Sequence, residues 1–341
     1  MSTITDQVFN VGLLAYGMSG KVFHAPFFQA NAGFNLYAVT ERNTKKAGVD
    51  YPDITSYNTI DDLLADPKID LVVINTPNNL HFEHAKAALQ SGKHILVEKP
   101  FVANVAQAEE LFTLADTLGK EIFFYQNRRW DSDFLAVKKV LQEKKLGKLV
   151  EMHVRYDRYR NVIGPKAFKE QAIEASGLLY DLGPHLLDQV ISLFGKPLHF
   201  TKTTTKNRKG TLVDDYFTIQ LNFVDDITVF VTATMLSLNP QPAFVLHGTE
   251  GTLIKPRADV QEEQLLGGMK IGDAGYGVEA QGMQGKLTTI SENGTIKTED
   301  VYSQTGTYTP LFDAIYATLV GRKPYPVTRD QVLTQLEIIQ S

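Results

Sequence analysis

Three groups of residues in this chain have the types and spacing that chemistry requires. The first is the run Ala15-Tyr16-Gly17-Met18-Ser19-Gly20. Set against G-x-G-x-x-G, it keeps the second and third glycines and carries Ala15 at the first. In such a loop the second glycine lets the backbone approach a pyrophosphate, and the third lets the next helix pack on the strand. The helix N-terminus then turns its free N–H groups toward the phosphates. Ala15, Gly17, Met18, Ser19 and Gly20 are thus candidate dinucleotide contacts. The second group is Glu98-Lys99-Pro100. A lysine in a partly desolvated cleft can hydrogen-bond a substrate hydroxyl and help its proton leave. Pro100 fixes its own φ and biases Lys99 toward extended backbone. The third group is Asp181 and His185, four apart, with Asp188 three further on. On a helix the first two share one face, and Asp188 lies near it. An imidazole near its own pKa suits the removal of an alcohol proton, and a neighbouring carboxylate orients it.

Competing chemistries fail in detail. A nucleoside-triphosphate loop ending at Gly20-Lys21 would need Gly at Ala15 and Ser or Thr at Val22. A nucleophile elbow fails because Ser19 is followed directly by Gly20. His81 and His84 flank Glu83, but no H-E-x-x-H or H-x-H occurs, so no metal site is predicted.

These groups need elements to hold them. Short apolar runs predict strands over 8–14, 34–40, 70–75, 94–98 and 121–125. Between them the pattern predicts helices over 19–30, 59–65, 79–90 and 104–118. Pro26 unsettles the first helix; Thr59 caps the second, Asn78 or Asn79 the third, and Gly119 stops the fourth. Strand–helix alternation with short loops means parallel strands and right-handed crossovers, with ligands at the carboxyl ends of the strands. That places Lys99 at the end of the fourth strand. It places Glu41 and Arg42 at the end of the second. Glu41 suits the ribose hydroxyls of NAD, whereas Arg42 suits the 2′-phosphate of NADP, so the cofactor is left as NAD or NADP.

The pattern changes near Asn127. A helix over 132–145 leads into strands over 150–159, 198–205, 216–223, 227–235, 244–247, 252–255, 286–290 and 295–300. One long helix over 178–193 interrupts them, and the Gly-rich stretch 267–285 reads as a loop. The fold class is α/β: an N-terminal Rossmann-type doubly wound parallel sheet plus a C-terminal α+β domain with a large, mostly antiparallel sheet. The expected domains are 1–126 for the dinucleotide and 127–341 for substrate and oligomerisation, the last helix packing back on the first domain.

Composition narrows the partners. Apolar residues make up 43% of the 341, which is globular and long enough for two domains. Lys and Arg number 34 against 39 Asp and Glu, with no basic block, so no nucleic-acid partner is expected. No apolar run reaches the roughly 18 residues of a transmembrane helix, and the N-terminus lacks the order of a signal peptide. The absence of cysteine excludes disulfides and thiolate chemistry, and a cytoplasmic location is the simplest one.

The motifs together resemble the Gfo/Idh/MocA oxidoreductase family. They are A-Y-G-M-S-G-K-V-F-H-A-P from Ala15, T-P-N-N-L-H from Thr76, E-K-P, and S-G-L-L-Y-D-L-G-P-H-L-L-D from Ser176. The last matches the family's G-x-x-x-D-x-x-x-H at Gly177, Asp181 and His185, and the resemblance spans nearly the whole chain. Q-N-R-R-W-D-S-D-F from Gln126 further resembles the branch of NADP-dependent scyllo-inositol dehydrogenases.

The resemblance implies hydride transfer between a nicotinamide and a secondary alcohol of a sugar, inositol or related polyol, without a metal. It assigns proton handling to Lys99, Asp181 and His185. It implies that Thr76, Pro77, Asn79, His81, Glu98, Lys99, Asn127 and Arg128 line the cofactor site. Tyr156, Arg158 and Arg160 alternate on one strand and can hydrogen-bond polyol hydroxyls, and Tyr180 adjoins Asp181; a merely exposed sheet face is the alternative. A homodimer or homotetramer is implied. Two other readings stay open: a non-catalytic nucleotide-binding regulator and an NAD-dependent glycoside hydrolase of the same fold.

Overall fold

The computed structural model describes residues 7–164 and 170–341. The chain divides into two compact units, Met1–Gln126 with Tyr308–Thr328, and Asn127–Thr307 with Arg329–Ser341. The segment that rejoins the first unit is therefore the penultimate one. Phe312 stacks on Phe27 with ring centroids 4.9 Å apart, and the Tyr325 hydroxyl donates to the Phe124 carbonyl at 2.8 Å. The last helix, Arg329–Gln340, stays with the second unit, where Ile338 and Ile339 enter the core.

Among the described residues the first unit is built on six parallel strands: β1 (Phe9–Leu13), β2 (Phe34–Thr40), β3 (Thr55–Tyr57), β4 (Leu71–Ile74), β5 (His94–Val97) and β6 (Ile122–Phe124). Their order is β3-β2-β1-β4-β5-β6, so the chain reverses direction across the sheet between β1 and β4. Leu71-Val72-Val73-Ile74 is buried throughout, as a strand covered on both faces must be. Strand β3 has no apolar run; its three half-buried residues pair with Ala38–Thr40, so tertiary contact creates it where the sequence pattern is silent.

Local signals set the element ends. The Thr59 side chain accepts from the Asp62 N–H, Asn104 accepts from the Gln107 N–H, and Gly119 stops its helix at φ +63°. The 19–30 segment is not one α-helix. Ser19–His24 is a π-helical turn, and an α-helix restarts over Ala25–Ala30. Pro26 then falls in a first turn, where its missing N–H costs no intrahelical bond. The helix expected from Asn79 begins at His81, after a 3-10 turn over Asn78–Leu80. Its N-cap is Leu80, without a side-chain cap, so the capping expected of Asn78 or Asn79 does not occur at this α-helix.

Among the described residues the second unit carries eight strands: β7 (Leu149–Asp157), β8 (His199–Thr205), β9 (Tyr216–Asn222), β10 (Thr228–Thr234), β11 (Phe244–Gly248), β12 (Gly251–Lys255), β13 (Gly285–Ile290) and β14 (Ile296–Val301). The order is β14-β13-β12-β11-β7-β10-β9-β8, antiparallel except where β7 runs parallel to β10. Met152 and Val154 of β7 and Val229 and Val231 of β10 share one core with Leu178, Leu182 and Leu186 of the Gly177–Phe194 helix. A short helix, Gln261–Leu266, precedes the Gly-rich loop.

Candidate active site

The first unit presents the dinucleotide loop at the end of β1. A Cβ on Gly20 would lie 2.2 Å from the Ala15 carbonyl oxygen, so only glycine lets the turn and helix pack this closely. A Cβ on Gly17 would meet nothing within 4 Å. The chain's own packing therefore does not require glycine at 17, and the open backbone there leaves room for the close approach a dinucleotide loop needs. Gly17 and Met18 are exposed, and Ala15 and Ser19 are partly so. Asn75, just past β4, clamps the loop from both sides. Its Oδ1 accepts from the Ala15 N–H at 3.0 Å and its Nδ2 donates to the Ala15 carbonyl at 2.8 Å. This arrangement fits a nicotinamide dinucleotide.

Glu98 lies beside this loop. The Ser19 hydroxyl donates to Glu98 Oε1 at 2.5 Å, His24 Nε2 is 2.9 Å from the same oxygen, and the Lys99 N–H donates to Oε2 at 3.1 Å. Burial raises the Glu98 pKa, but the His24 and Ser19 bonds and nearby positive charge outweigh it and lower the pKa to about 2. A carboxylate so held has no proton to give, so His24 donates. The same strand end carries Lys99, half-buried, with a cis peptide bond to Pro100.

Two residues expected at the cofactor turn inward. His81 is 1% exposed; its Nδ1 lies 2.7 Å from the Pro100 carbonyl and its Nε2 2.9 Å from the Thr76 carbonyl. It ties together the loops after β4 and β5, and burial pushes its pKa down from 6.5. Glu41 is buried too. Its carboxylate accepts from the Lys46 N–H at 2.7 Å, the Ala47 N–H at 3.2 Å and the Ser56 hydroxyl at 2.8 Å. The acid expected at the ribose hydroxyls is thus committed to its own loop. Arg42 is exposed beside it. Pro77 and Asn79 are exposed on their loop, and the Thr76 hydroxyl meets His84 Nδ1 at 2.9 Å.

The second unit presents Asp181 and His185 on the Gly177–Phe194 helix. Gly177 starts it at φ +90°, and a Cβ there would lie 2.1 Å from Asp214 Oδ1. Glycine thereby lets Asp214 cap the helix: its carbonyl accepts from the Leu178 N–H at 3.0 Å and its carboxylate from the Leu179 N–H at 2.7 Å. Tyr180 and Asp181 are partly exposed and His185 is buried. Asp188 belongs to a different cluster. Arg129 donates to it through Nε at 2.6 Å and Nη2 at 2.8 Å, and Gln335 donates at 3.0 Å. Asn127 and Arg128 are buried in the turn just before; Arg128 pairs with Asp131 at 3.1 Å and Glu262 at 2.6 Å. Its carbonyl accepts from Gln189 at 2.8 Å, so this turn is pinned to the helix one turn beyond His185. Tyr156 lies at the end of β7 and Arg158 just past it, both partly exposed. Three site residues escaped sequence reasoning: His24, Asn75 and Asp214. Only the glycines they pack against gave a signal for the last two.

Among the described residues no group of His, Asp and Glu could hold a metal ion, and no helix is long and apolar enough to cross a membrane. Residues 9–126 match the oxidoreductase family with an NAD-binding Rossmann fold, and residues 134–254 match the Gfo/Idh/MocA C-terminal domain. The uncharacterised oxidoreductase YdgJ of Escherichia coli K12 is 37% identical, covering 99% of this chain and 96% of YdgJ. The NADP(+) scyllo-inositol 2-dehydrogenase IolW of Bacillus subtilis is 34% identical, covering 97% and 92%. A crystal structure of an oxidoreductase from Bacillus cereus aligns with a TM-score of 0.89 at 31% identity, covering 97% and 95%. With its glycine loop, parallel nucleotide-binding sheet and G-x-x-x-D-x-x-x-H helix, the chain belongs to the Gfo/Idh/MocA family of oxidoreductases.

Proposed function

We propose that the protein is an NADP-dependent dehydrogenase that oxidises a secondary alcohol of a sugar, inositol or related polyol. The observation that carries the reading is the helix that Asp214 caps through Gly177, because it puts Asp181 and His185 on one face, four residues apart. In this reading His185 takes the alcohol proton, Asp181 orients the imidazole, and Lys99 hydrogen-bonds the alcohol oxygen. NADP, when bound, supplies the hydride acceptor. The choice of NADP rests on Arg42, exposed at the end of β2, and on Glu41, whose carboxylate is taken up by the loop. It is supported by the NADP(+) specificity in the name of the relative IolW.

The test follows reduced-nicotinamide absorbance with NAD and NADP over a panel of sugars and inositols. Turnover with at least one polyol, faster with NADP, is the expected result. Cofactor binding without turnover of any polyol would remove the dehydrogenase reading, and a preference for NAD would remove the role of Arg42.

A further inference from the structure

The second unit gathers three guanidinium groups on one phenol ring. The carbons Cζ of Arg158, Arg257 and Arg128 lie 4.5, 4.7 and 5.5 Å from the centre of the Tyr156 ring. Two of these cations have carboxylates near them. Arg128 pairs with Asp131 and Glu262, at 3.1 and 2.6 Å. Arg257 Nη1 is 3.6 Å from Asp133 and 3.8 Å from Asp131, yet that nitrogen is buried without a hydrogen-bond partner. Arg158 is different. It meets the Tyr156 ring and hydroxyl and, among the described residues, forms no ion pair.

Main-chain bonds tie this cluster to the helix that carries Asp181 and His185. Met152, Val154 and Tyr156 alternate along β7 and so share one face, and Arg158, one residue past the strand, continues the alternation with its N–H still bonded to the Thr234 carbonyl. Met152 and Val154 on that face pack in the same core as the helix. The Arg158 N–H donates to Thr234 at 2.9 Å, Met235 donates to Asp215 at 3.0 Å, and Leu178 donates to Asp214 at 3.0 Å. The end of β7, the end of β10, the start of β9 and the first turn of the helix therefore lie at one end of the sheet. Arg128 adds a second link, since its carbonyl holds Gln189, four residues beyond His185.

Arginine offers donors only and carries a fixed charge. A neutral polyol hydroxyl both donates and accepts, so three donor-only cations are a poor match for it. An oxyanion accepts only, and a guanidinium binds it through paired charged hydrogen bonds. We propose that Arg158, backed by Arg257 and Arg128 around Tyr156, binds an anionic group, a carboxylate or a phosphate, on the polyol substrate. This rests on the dehydrogenase reading for the reaction and adds the substrate's charge. A separate sign of the local field is the Tyr156 phenol. Burial raises its pKa, but Arg128, Arg158 and Arg257 outweigh burial and bring it below 10.

The test titrates the NADP-loaded protein with D-gluconate, D-glucose 6-phosphate and uncharged D-glucose by calorimetry, at low and high salt. At least one anion should bind about tenfold or more tighter than glucose, and salt should erode that advantage. Tighter gluconate assigns a carboxylate, and tighter glucose 6-phosphate assigns a phosphate. Arg158→Gln should bring the anion-to-glucose ratio to about one, while Arg158→Lys, which keeps the charge, should retain part of it; thermal melts check that both variants fold. Equal binding of all three ligands, or an anion preference that survives in Arg158→Gln, overturns the proposal. Because heat rather than turnover is read, a lack of hydride transfer with every sugar would count against the dehydrogenase reading alone.

Discussion

His24 Nε2 donates to Glu98 Oε1 across 2.9 Å, joining the π-helical turn after the glycine loop to the strand end that carries Lys99. Neither ends free: His24 is fully buried against the Tyr125 ring, centroids 4.4 Å apart, and Glu98 also takes the Ser19 hydroxyl and the Lys99 N–H. The pair thus couples the cofactor loop to the position of Lys99. It is a positioning device, since the Lys99 main chain hangs on the second Glu98 oxygen.

This relationship has a pH signature. Glu98 is held down to about 2 in the fold, against an ordinary value of 4.5. A carboxylate depressed on folding stabilises above its unfolded pKa and loses that contribution as pH falls through the folded one. The stability gap between the wild type and Glu98→Gln should therefore be full at pH 7, on the order of 3 kcal/mol, and shrink below about pH 4.5. Denaturant melts at pH 7 and pH 3.5 check it. A gap of equal size at both would mean that the charge on Glu98 contributes nothing.

Glu41 and Arg42 should separate stability from cofactor choice. Removing the Glu41 carboxylate leaves the Lys46 and Ala47 N–H groups and the Ser56 hydroxyl without their acceptor. Glu41→Ala should cost about 1–3 kcal/mol and leave the ratio of NADP to NAD turnover unchanged. Arg42→Ala should do the reverse, raising KM for NADP about tenfold or more with no loss in melting temperature. A swap of cofactor preference on mutating Glu41 would restore it to the ribose.

Much of the geometry of this candidate site was legible in the residues, and the illegible part has a common cause. Gly17, Gly20 and the Asp181–His185 spacing declare themselves because their constraint is local: a turn, a close approach, one helix face. His24, Asn75 and Asp214 do not, because their partners lie 74, 60 and 35 residues away in the chain. The orientation of Glu41 and His81 was hidden for the same reason. Their types and positions suit a ligand, but Ser56 and the Pro100 carbonyl decide which way they turn. Strand β3 is the fold's counterpart, three polar residues made a strand only by β2.

If His185 is the base, its removal should act on kcat. His185→Ala should lower kcat by about 10²–10⁴ and leave the NADP dissociation constant unchanged. Lys99→Met should also lower kcat. Cofactor titration alongside steady-state kinetics distinguishes this from misfolding, which would weaken NADP binding as well.

The Arg129–Asp188 pair tests whether a buried charge pair near His185 serves stability or placement. Arg129 grips Asp188 with two nitrogens, at 2.6 and 2.8 Å, with side chains 10% and 2% exposed. Burial raises the Asp188 pKa, and Arg129 and Gln335 offset that only in part. Asp188→Ala, which leaves the buried guanidinium its Gln331 bond at 2.8 Å but removes the carboxylate partner, should cost about 3–5 kcal/mol. Replacing both charges with apolar residues of similar volume, Arg129→Met with Asp188→Leu, should cost far less or even stabilise. Yet Arg129 adjoins Arg128, and Asp188 is three residues past His185, so the pair fixes the 127–130 turn against the helix. The double variant should consequently keep its melting temperature while losing turnover through a raised substrate KM. Wild-type kinetics in a stable double variant would show that packing alone holds the turn in place.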